Sequence, residues 1–175
     1  MDAALSELTQ GASPAEVAIR LSAALAVGGA VGWERERHDK PAGLRTHILV
    51  SLGSATFMLL GFEVGGHLAS RYGEAGLDPT RVLQGVVGGI GFLGAGAIIK
   101  SSGQVTGMTT AASIWIAGAL GAAAGMGAYV VAVLSTAFCV ATLVLHMRFA
   151  RPRAPGSATG DGPQTEESMP PKPPD

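Results

Sequence analysis

The sequence carries no lysine, arginine, aspartate or glutamate from Ser101 to Leu145. A charged side chain is costly inside a lipid bilayer, so a charge-free run of this length is typical of helices that lie in a membrane. Only 14% of the 175 residues are charged, against about 25% in soluble domains, and the mean hydropathy is +0.36. We therefore predict an integral membrane protein.

A second feature is the glycine-rich stretch Val82–Ile99, which has six glycines in eighteen residues and no charge. In water each helical glycine costs about 1 kcal/mol relative to alanine, whereas glycine lets membrane helices approach closely. We predict a closely packed helix. The alternatives are a helix that bends at Gly94–Gly96 to line a site and a soluble glycine-rich loop. A dinucleotide loop is disfavoured, because no separate strand precedes Gly89-x-Gly91-x-x-Gly94 and no acidic residue follows about 20 positions on.

The apolar runs predict an all-α membrane protein with five transmembrane helices, at about 15–36, 44–66, 79–100, 109–125 and 128–147. A short polar segment, 1–14, precedes them, and a Pro-rich tail, 148–175, follows them. The tail is predicted to be disordered because it cannot bury enough apolar surface. Close packing is assigned to glycines on three of the helices: Gly28, Gly32, Gly85, Gly88, Gly89, Gly91, Gly94, Gly96 and Gly121.

The basic residues predict the orientation. Five spans place nine lysines and arginines on one side of the membrane (Arg35, Arg37, Lys40, Arg45, Lys100, Arg148, Arg151, Arg153 and Lys172) and three on the other (Arg20, Arg71 and Arg81). Basic loops stay in the cytoplasm. The N-terminus is therefore expected outside and the C-terminus in the cytoplasm, whereas four spans would put the basic tail on the opposite face.

The predicted cytoplasmic face gathers a candidate functional cluster: Glu34, Arg35, Glu36, Lys40, Arg45, Thr46, Lys100, Thr109 and Thr110. Glutamate near the membrane boundary needs a partner, and a helix N-terminus offers free N–H groups. We therefore expect Arg45 and the start of the fourth helix to hold Glu34. Spacings of four residues also predict local pairs such as Glu34–His38. The alternative is a solvated loop that only sets the topology.

On the opposite face, Asp78 and Arg81 are expected to cap and anchor the third helix. His47 is predicted to be a hydrogen-bonding packing residue rather than a ligand.

The sequence disfavours an enzyme, since no nucleophile has an evident histidine and carboxylate around it. The four histidines fall on different segments, so no metal-ligand spacing emerges. No cofactor is predicted, although Mg²⁺ binding stays open. The net charge of −1 argues against a nucleic-acid partner.

Five motifs resemble those of the MgtC/SapB family of bacterial inner-membrane proteins, and they cover about Ala15–Leu145 in family order: Gly32-x-Glu34-Arg35-Glu36, Lys40-Pro-Ala-Gly-Leu-Arg45-Thr46, Asp78-Pro79-x-Arg81, Gly89-Ile-Gly-Phe-Leu-Gly-Ala-Gly96 and Gly107-x-Thr109-Thr110-Ala111-Ala112. The best-known members continue into a folded cytoplasmic domain, where this chain has its Pro-rich tail.

The resemblance implies a multi-pass inner-membrane protein linked to magnesium homeostasis, low-magnesium stress and, in pathogens, survival inside host cells. It implies a regulatory or accessory role through membrane partners such as the F-type ATP synthase or a P-type magnesium transporter. The alternative is a small transporter of Mg²⁺ or another ion. Homo-oligomers are compatible with either role.

Overall fold

The computed structural model describes residues 12–72, 79–101 and 104–149. These ranges contain five helices: α1 (Pro14–Glu36), α2 (Leu44–Tyr72), α3 (Pro79–Gly96), α4 (Met108–Gly125) and α5 (Tyr129–Phe149). Two short strands, β1 (Ile99–Ser101) and β2 (Gln104–Thr106), lie between α3 and α4. The five helices confirm the helical fold class, and their bounds lie close to those predicted. The tail predicted to be disordered, 148–175, lies outside the described residues except for Arg148 and Phe149, which belong to α5.

The start of α1 follows from two neighbouring residues. The Ser13 hydroxyl accepts a hydrogen bond from the Glu16 N–H at 3.2 Å, and Pro14 occupies the first helical position, where no N–H partner is needed.

The last residue of α4 is capped by a side chain of α1, because Nη1 of Arg20 donates to the Gly125 carbonyl at 2.9 Å. Arg20 also pairs with Glu16. This cap joins the beginning of α1 to the end of α4.

Helices α1, α2 and α4 form the centre of the fold and make the most extensive contacts with one another. Small residues allow this approach. A Cβ atom added to Gly28 of α1 would lie 2.6 Å from Ser51 Cβ, and one added to Gly32 would lie 2.8 Å from Leu44 Cα. Gly121 of α4 packs even more tightly against the Ser51 backbone. Gly28, Gly32 and Gly121 therefore lie at close helix contacts.

The third helix is peripheral, and its glycines do not make the contacts expected for them. It packs on α4 and α2 through Val82, Val86, Ile90 and Gly94, which recur every four residues and form one stripe. The other glycines of α3 have open space where a side chain would be: Gly85, Gly88, Gly89, Gly91 and Gly96. The prediction that these five glycines pack against other helices of the chain was wrong. The side of α3 that faces its neighbours is the stripe of Val82, Val86, Ile90 and Gly94.

The segment after α3 also differs from the prediction. The helix ends at Gly96 rather than near Lys100, and an antiparallel hairpin follows, with Ile99 opposite Thr106 and Lys100 opposite Val105. Gly107 then begins α4 with φ of 86°, in the left-handed region. Its Cβ position is occupied by the Ala97 carbonyl, so only glycine fits this turn.

Three described helices are long and apolar enough to cross a membrane: Pro14–Glu36, Leu44–Leu68 and Met108–Gly125. A shorter apolar stretch, Tyr129–Leu145, lies in α5. Large side chains of α5 point away from the rest of the protein, among them Val130, Val133 and Phe138. This surface suits contact with lipid tails.

Candidate functional site: buried polar residues between α1, α2 and α4

Two ionisable residues at the end of α1 are buried. Glu34 is 5% exposed and Arg35 is 3% exposed. Consecutive helical side chains project about 100° apart, so these two residues reach different neighbours. Both carboxylate oxygens of Glu34 and the Nε atom of Arg35 have no hydrogen-bond partner among the described residues. Buried charges without partners are costly, and ionisable groups inside a membrane commonly mark function.

The nearest ionisable group to Glu34 is His38, whose Nδ1 lies 3.3 Å from Glu34 Oε1. The predicted Glu34–His38 pair is therefore present. Nδ1 of His38 makes its hydrogen bond, however, to the backbone carbonyl of Glu34 at 2.7 Å. Arg45 does not hold Glu34 as expected. Its side chain is exposed, and it forms no ion pair in the part of the chain that the structure describes.

His47 of α2 links two helices through its fully buried ring. Its Nδ1 lies 2.8 Å from the Gly43 carbonyl oxygen, and its Nε2 lies 3.0 Å from Ser113 Oγ on α4. The Ser113 hydroxyl in turn donates to the Thr110 carbonyl at 2.8 Å. The prediction of a hydrogen-bonding packing residue is confirmed, and the chain Gly43–His47–Ser113–Thr110 joins α2 to α4.

Glu34 and Arg35 follow closely after Gly32 of α1, where an added Cβ atom would lie 3.0 Å from His47 Cβ. Ser113 and Cys139 line a cleft between α4 and α5, with a volume of about 480 Å³. Its hydroxyl-bearing residues are Thr109, Ser113, Ser135 and Thr142. The buried polar cluster, defined as Glu34, Arg35, His47, Thr110 and Ser113, is thus adjacent to a partly polar cleft.

Glu36 has a different role. Its Oε2 accepts a hydrogen bond from the Leu44 N–H at 2.6 Å, at the first residue of α2. A carboxylate at a helix N-terminus satisfies a free N–H and interacts favourably with the helix dipole. Gly43 leaves room for it, because a Cβ atom there would lie 2.8 Å from Glu36 Oε2. Glu36 therefore fixes the turn between α1 and α2.

The remaining predicted site residues lie nearer the surface. Lys40, Lys100 and Thr109 are exposed, and Thr46 is half-buried. Arg81 is exposed, and Asp78 lies outside the described residues. The nine predicted cytoplasmic-face residues thus divide into three buried ones, Glu34, Arg35 and Thr110, and a surface group.

Ser113 was missed by the sequence reasoning. Its signal is a third hydroxyl, one turn after Thr109 and Thr110, in a helix otherwise rich in alanine and glycine. In residues 12–72, 79–101 and 104–149, no three His, Cys, Asp or Glu side chains gather in a metal-binding arrangement. The side chains of the buried polar cluster can exchange hydrogen bonds and protons. The one carboxylate that this cluster offers a cation is that of Glu34.

The sequence model of the MgtC family matches residues 21–151. YhiD of Escherichia coli K12, which bears the name "Putative magnesium transporter YhiD", is 44% identical over 123 residues, covering 66% of this chain and 53% of YhiD. Protein SrpB of Synechococcus elongatus is 40% identical over 143 residues, 77% of each chain. Protein MgtC of Brucella abortus (strain 2308) is 40% identical over 131 residues, 75% of this chain and 51% of MgtC.

The chain therefore spans about half the length of YhiD and MgtC. No solved structure matches it.

Proposed function

Because the chain belongs to the MgtC family, we propose that it is a multi-pass protein of the bacterial inner membrane with a regulatory or accessory role in magnesium homeostasis. It acts by binding other membrane proteins and catalyses no reaction. All five helices span the bilayer, with the N-terminus outside and the C-terminus in the cytoplasm. The role includes adaptation to low magnesium and to stress inside host cells.

The observation that carries this proposal is the glycine surface of α3. At five of its glycines, no atom of the described residues lies within 4 Å of where a Cβ atom would be, although glycine weakens a helix by about 1 kcal/mol relative to alanine. In lipid, glycine on a helix surface permits another helix to approach closely. The glycine surface of α3, defined as Gly85, Gly88, Gly89, Gly91 and Gly96, thus suits a transmembrane helix of a partner protein.

Partners suggested by the family resemblance are a P-type magnesium transporter and the F-type ATP synthase. A second copy of this chain is the competing occupant. Partner binding is favoured over transport because Lys100 is the only Lys, Arg, Asp or Glu between Val82 and Leu145. A conventional ion path places ionisable side chains within the bilayer, and this part of the sequence has Lys100 alone among Lys, Arg, Asp and Glu.

Transport of Mg²⁺ or another ion is the second candidate. It is supported by the name of YhiD and by the buried carboxylate of Glu34, whose oxygens accept no hydrogen bond from the described residues. The neighbouring buried cation of Arg35 opposes it, since it repels a divalent cation.

Co-purification from bacterial membranes tests the proposal. Each tagged partner should retain the wild-type protein and lose Gly88→Ile, because the added side chain holds the partner helix away from α3. Gly66→Ile is the matched control, since Gly66 of α2 also has open space around it. Equal retention of both variants contradicts docking on α3.

Flux measurements separate the two candidate functions. The full chain in liposomes should give Mg²⁺ entry no faster than empty liposomes. Protein-dependent entry that Glu34→Gln abolishes would replace the regulatory proposal with transport. A reporter fused after Met147 should be active in the cytoplasm, and a periplasmic signal would contradict the five-span orientation.

A further inference from the structure

The polar contacts around His47 allow one more hydrogen bond when both ring nitrogens carry a proton than when the ring is neutral. The Gly43 carbonyl can only accept, so Nδ1 must carry a proton to make its 2.8 Å bond. The Ser113 hydroxyl has a single proton, which it donates to the Thr110 carbonyl. Ser113 then accepts from Nε2 across 3.0 Å, which requires a proton on Nε2 as well. All three side-chain bonds exist together only when the ring is an imidazolium.

A neutral ring gives a different arrangement. With Nδ1 still protonated, Nε2 becomes an acceptor, and the Ser113 hydroxyl must turn its proton from the Thr110 carbonyl to Nε2. One hydrogen bond of the chain Gly43–His47–Ser113–Thr110 is then lost. Taking up one proton at Nε2 reverses this change, and no other bond forms or breaks.

A buried imidazolium needs a nearby negative charge. Glu34 of α1 can supply it, because its carboxylate is buried and both oxygens lack a hydrogen-bond partner in the described ranges. It comes two residues after Gly32, where an added Cβ atom would lie 3.0 Å from His47 Cβ. The adjacent buried cation of Arg35 opposes it, and no charged residue comes from α4. His38 lies beside Glu34, Cys139 of α5 lines the same cleft as Ser113, and Arg45 of α2 is exposed.

The His47–Ser113 hydrogen bond borders a cleft. Ser113 lines the cleft of about 480 Å³ between α4 and α5, together with the hydroxyl-bearing Thr109, Ser135 and Thr142. Thr109 is exposed at the start of α4. Hydroxyl groups therefore lie between the exposed start of α4 and the buried ring of His47.

We propose that His47, Ser113 and Glu34 form a buried proton-binding site, in which a proton on His47 Nε2 completes the hydrogen bonds between α2 and α4. The ligand is a proton, and the cleft between α4 and α5 is the cavity that adjoins its site. Proton occupancy therefore sets how firmly α2 and α4 are joined. This site is independent of the partner proposed for α3.

Nitrogen-15 NMR of histidine rings tests the site in the full chain, reconstituted in lipid nanodiscs and labelled at histidine. The His47→Gln variant identifies the His47 signals among those of the four histidines. In the wild type, Nδ1 should stay protonated while Nε2 gains a proton as the pH falls from 8 to 5, the range in which histidine commonly changes charge.

Two variants isolate the partners of the ring. Glu34→Gln removes the negative charge, so the proton affinity of His47 should fall by about tenfold or more. Ser113→Ala removes the acceptor of the Nε2 proton and should also lower the affinity. Ser54→Ala is the matched control, because the buried Ser54 hydroxyl donates only to Val50 of its own helix, and it should titrate like the wild type.

A His47 ring that keeps one protonation form from pH 5 to 8 in the wild type would overturn the proposal, and this measurement depends on no variant. Identical titrations of the wild type, Glu34→Gln and Ser113→Ala would overturn it as well.

Discussion

Gly121 of α4 lies directly against the backbone of Ser51 in α2, with no space between them for even a methyl group. Ser51 is held on its other side as well, because its hydroxyl donates to the Ala24 carbonyl of α1 at 2.7 Å. Three helices therefore meet at one serine, and the smallest side chains lie where they meet.

Gly121→Ala should destabilise the protein by about 1–3 kcal/mol, the usual cost of overpacking a buried contact. The reason is that the new methyl group overlaps backbone atoms of Ser51, which cannot move aside as a flexible side chain can. Thermal unfolding in detergent measures the effect. Gly88→Ala is the control, because its methyl group would enter open space, and its melting temperature should equal or exceed that of the wild type. The same loss in both variants would contradict the contact.

Glu36→Ala should weaken the start of α2 by about 1 kcal/mol, since the Leu44 N–H loses its side-chain acceptor. Glu36→Gln keeps an oxygen that can accept this hydrogen bond but removes the charge that favours the helix N-terminus. It should therefore fall between the wild type and Glu36→Ala. Amide hydrogen exchange in the first turn of α2 provides the measurement, and unchanged exchange in Glu36→Ala would count against the cap.

Arg20→Gln should loosen the end of α4, because the Gly125 carbonyl loses a charged donor and such hydrogen bonds contribute about 1.5–3 kcal/mol. Hydrogen exchange should rise near Gly125 and Met126, with little change at the start of α4. Glu16→Gln is the informative companion. It removes the charge of the Glu16 partner but leaves the Arg20–Gly125 bond, so exchange at Gly125 should change less. Equal effects of the two variants would show that the cap is not the stabilising contact.

Gly107→Ala should destabilise the junction between the hairpin and α4 more than Gly96→Ala does. A residue with a side chain pays about 1–2 kcal/mol in the left-handed region, and the Ala97 carbonyl occupies the Cβ position of Gly107. Gly96 has open space at its Cβ position, and it is not one of the described glycines with a positive φ. Thermal unfolding of both variants provides the comparison, and similar melting temperatures would argue against the strained turn.

The sequence predicted the helices well because apolar runs, charge clusters and capping residues are local signals. Ser13 and Pro14 mark the start of α1 in this way, and the observed bounds are near the expected ones. The hairpin at 99–106 was missed because two three-residue strands carry too little periodicity to separate them from a helix end and a loop.

Within the candidate site, the sequence identified residue types but not their partners. The spacing of Glu34 and His38 is local, and that pair is present. The partner assigned to Glu34 was wrong because Arg45 belongs to another helix, whose rotation decides where its side chain points. The glycines show the same limit. Gly121 and Gly88 both belong to glycine-rich apolar segments, yet Gly121 lies against the Ser51 backbone, whereas the described residues leave open space at the Cβ position of Gly88.

The uneven surface of α3 has a consequence for whatever packs on it. Val82, Val86, Ile90 and Gly94 form the stripe that meets the neighbouring helices, while glycines elsewhere leave the backbone uncovered beside large exposed side chains such as Phe92. A molecule that approaches this side can therefore touch main-chain atoms directly, which permits the weak Cα–H···O contacts that recur where helices come close.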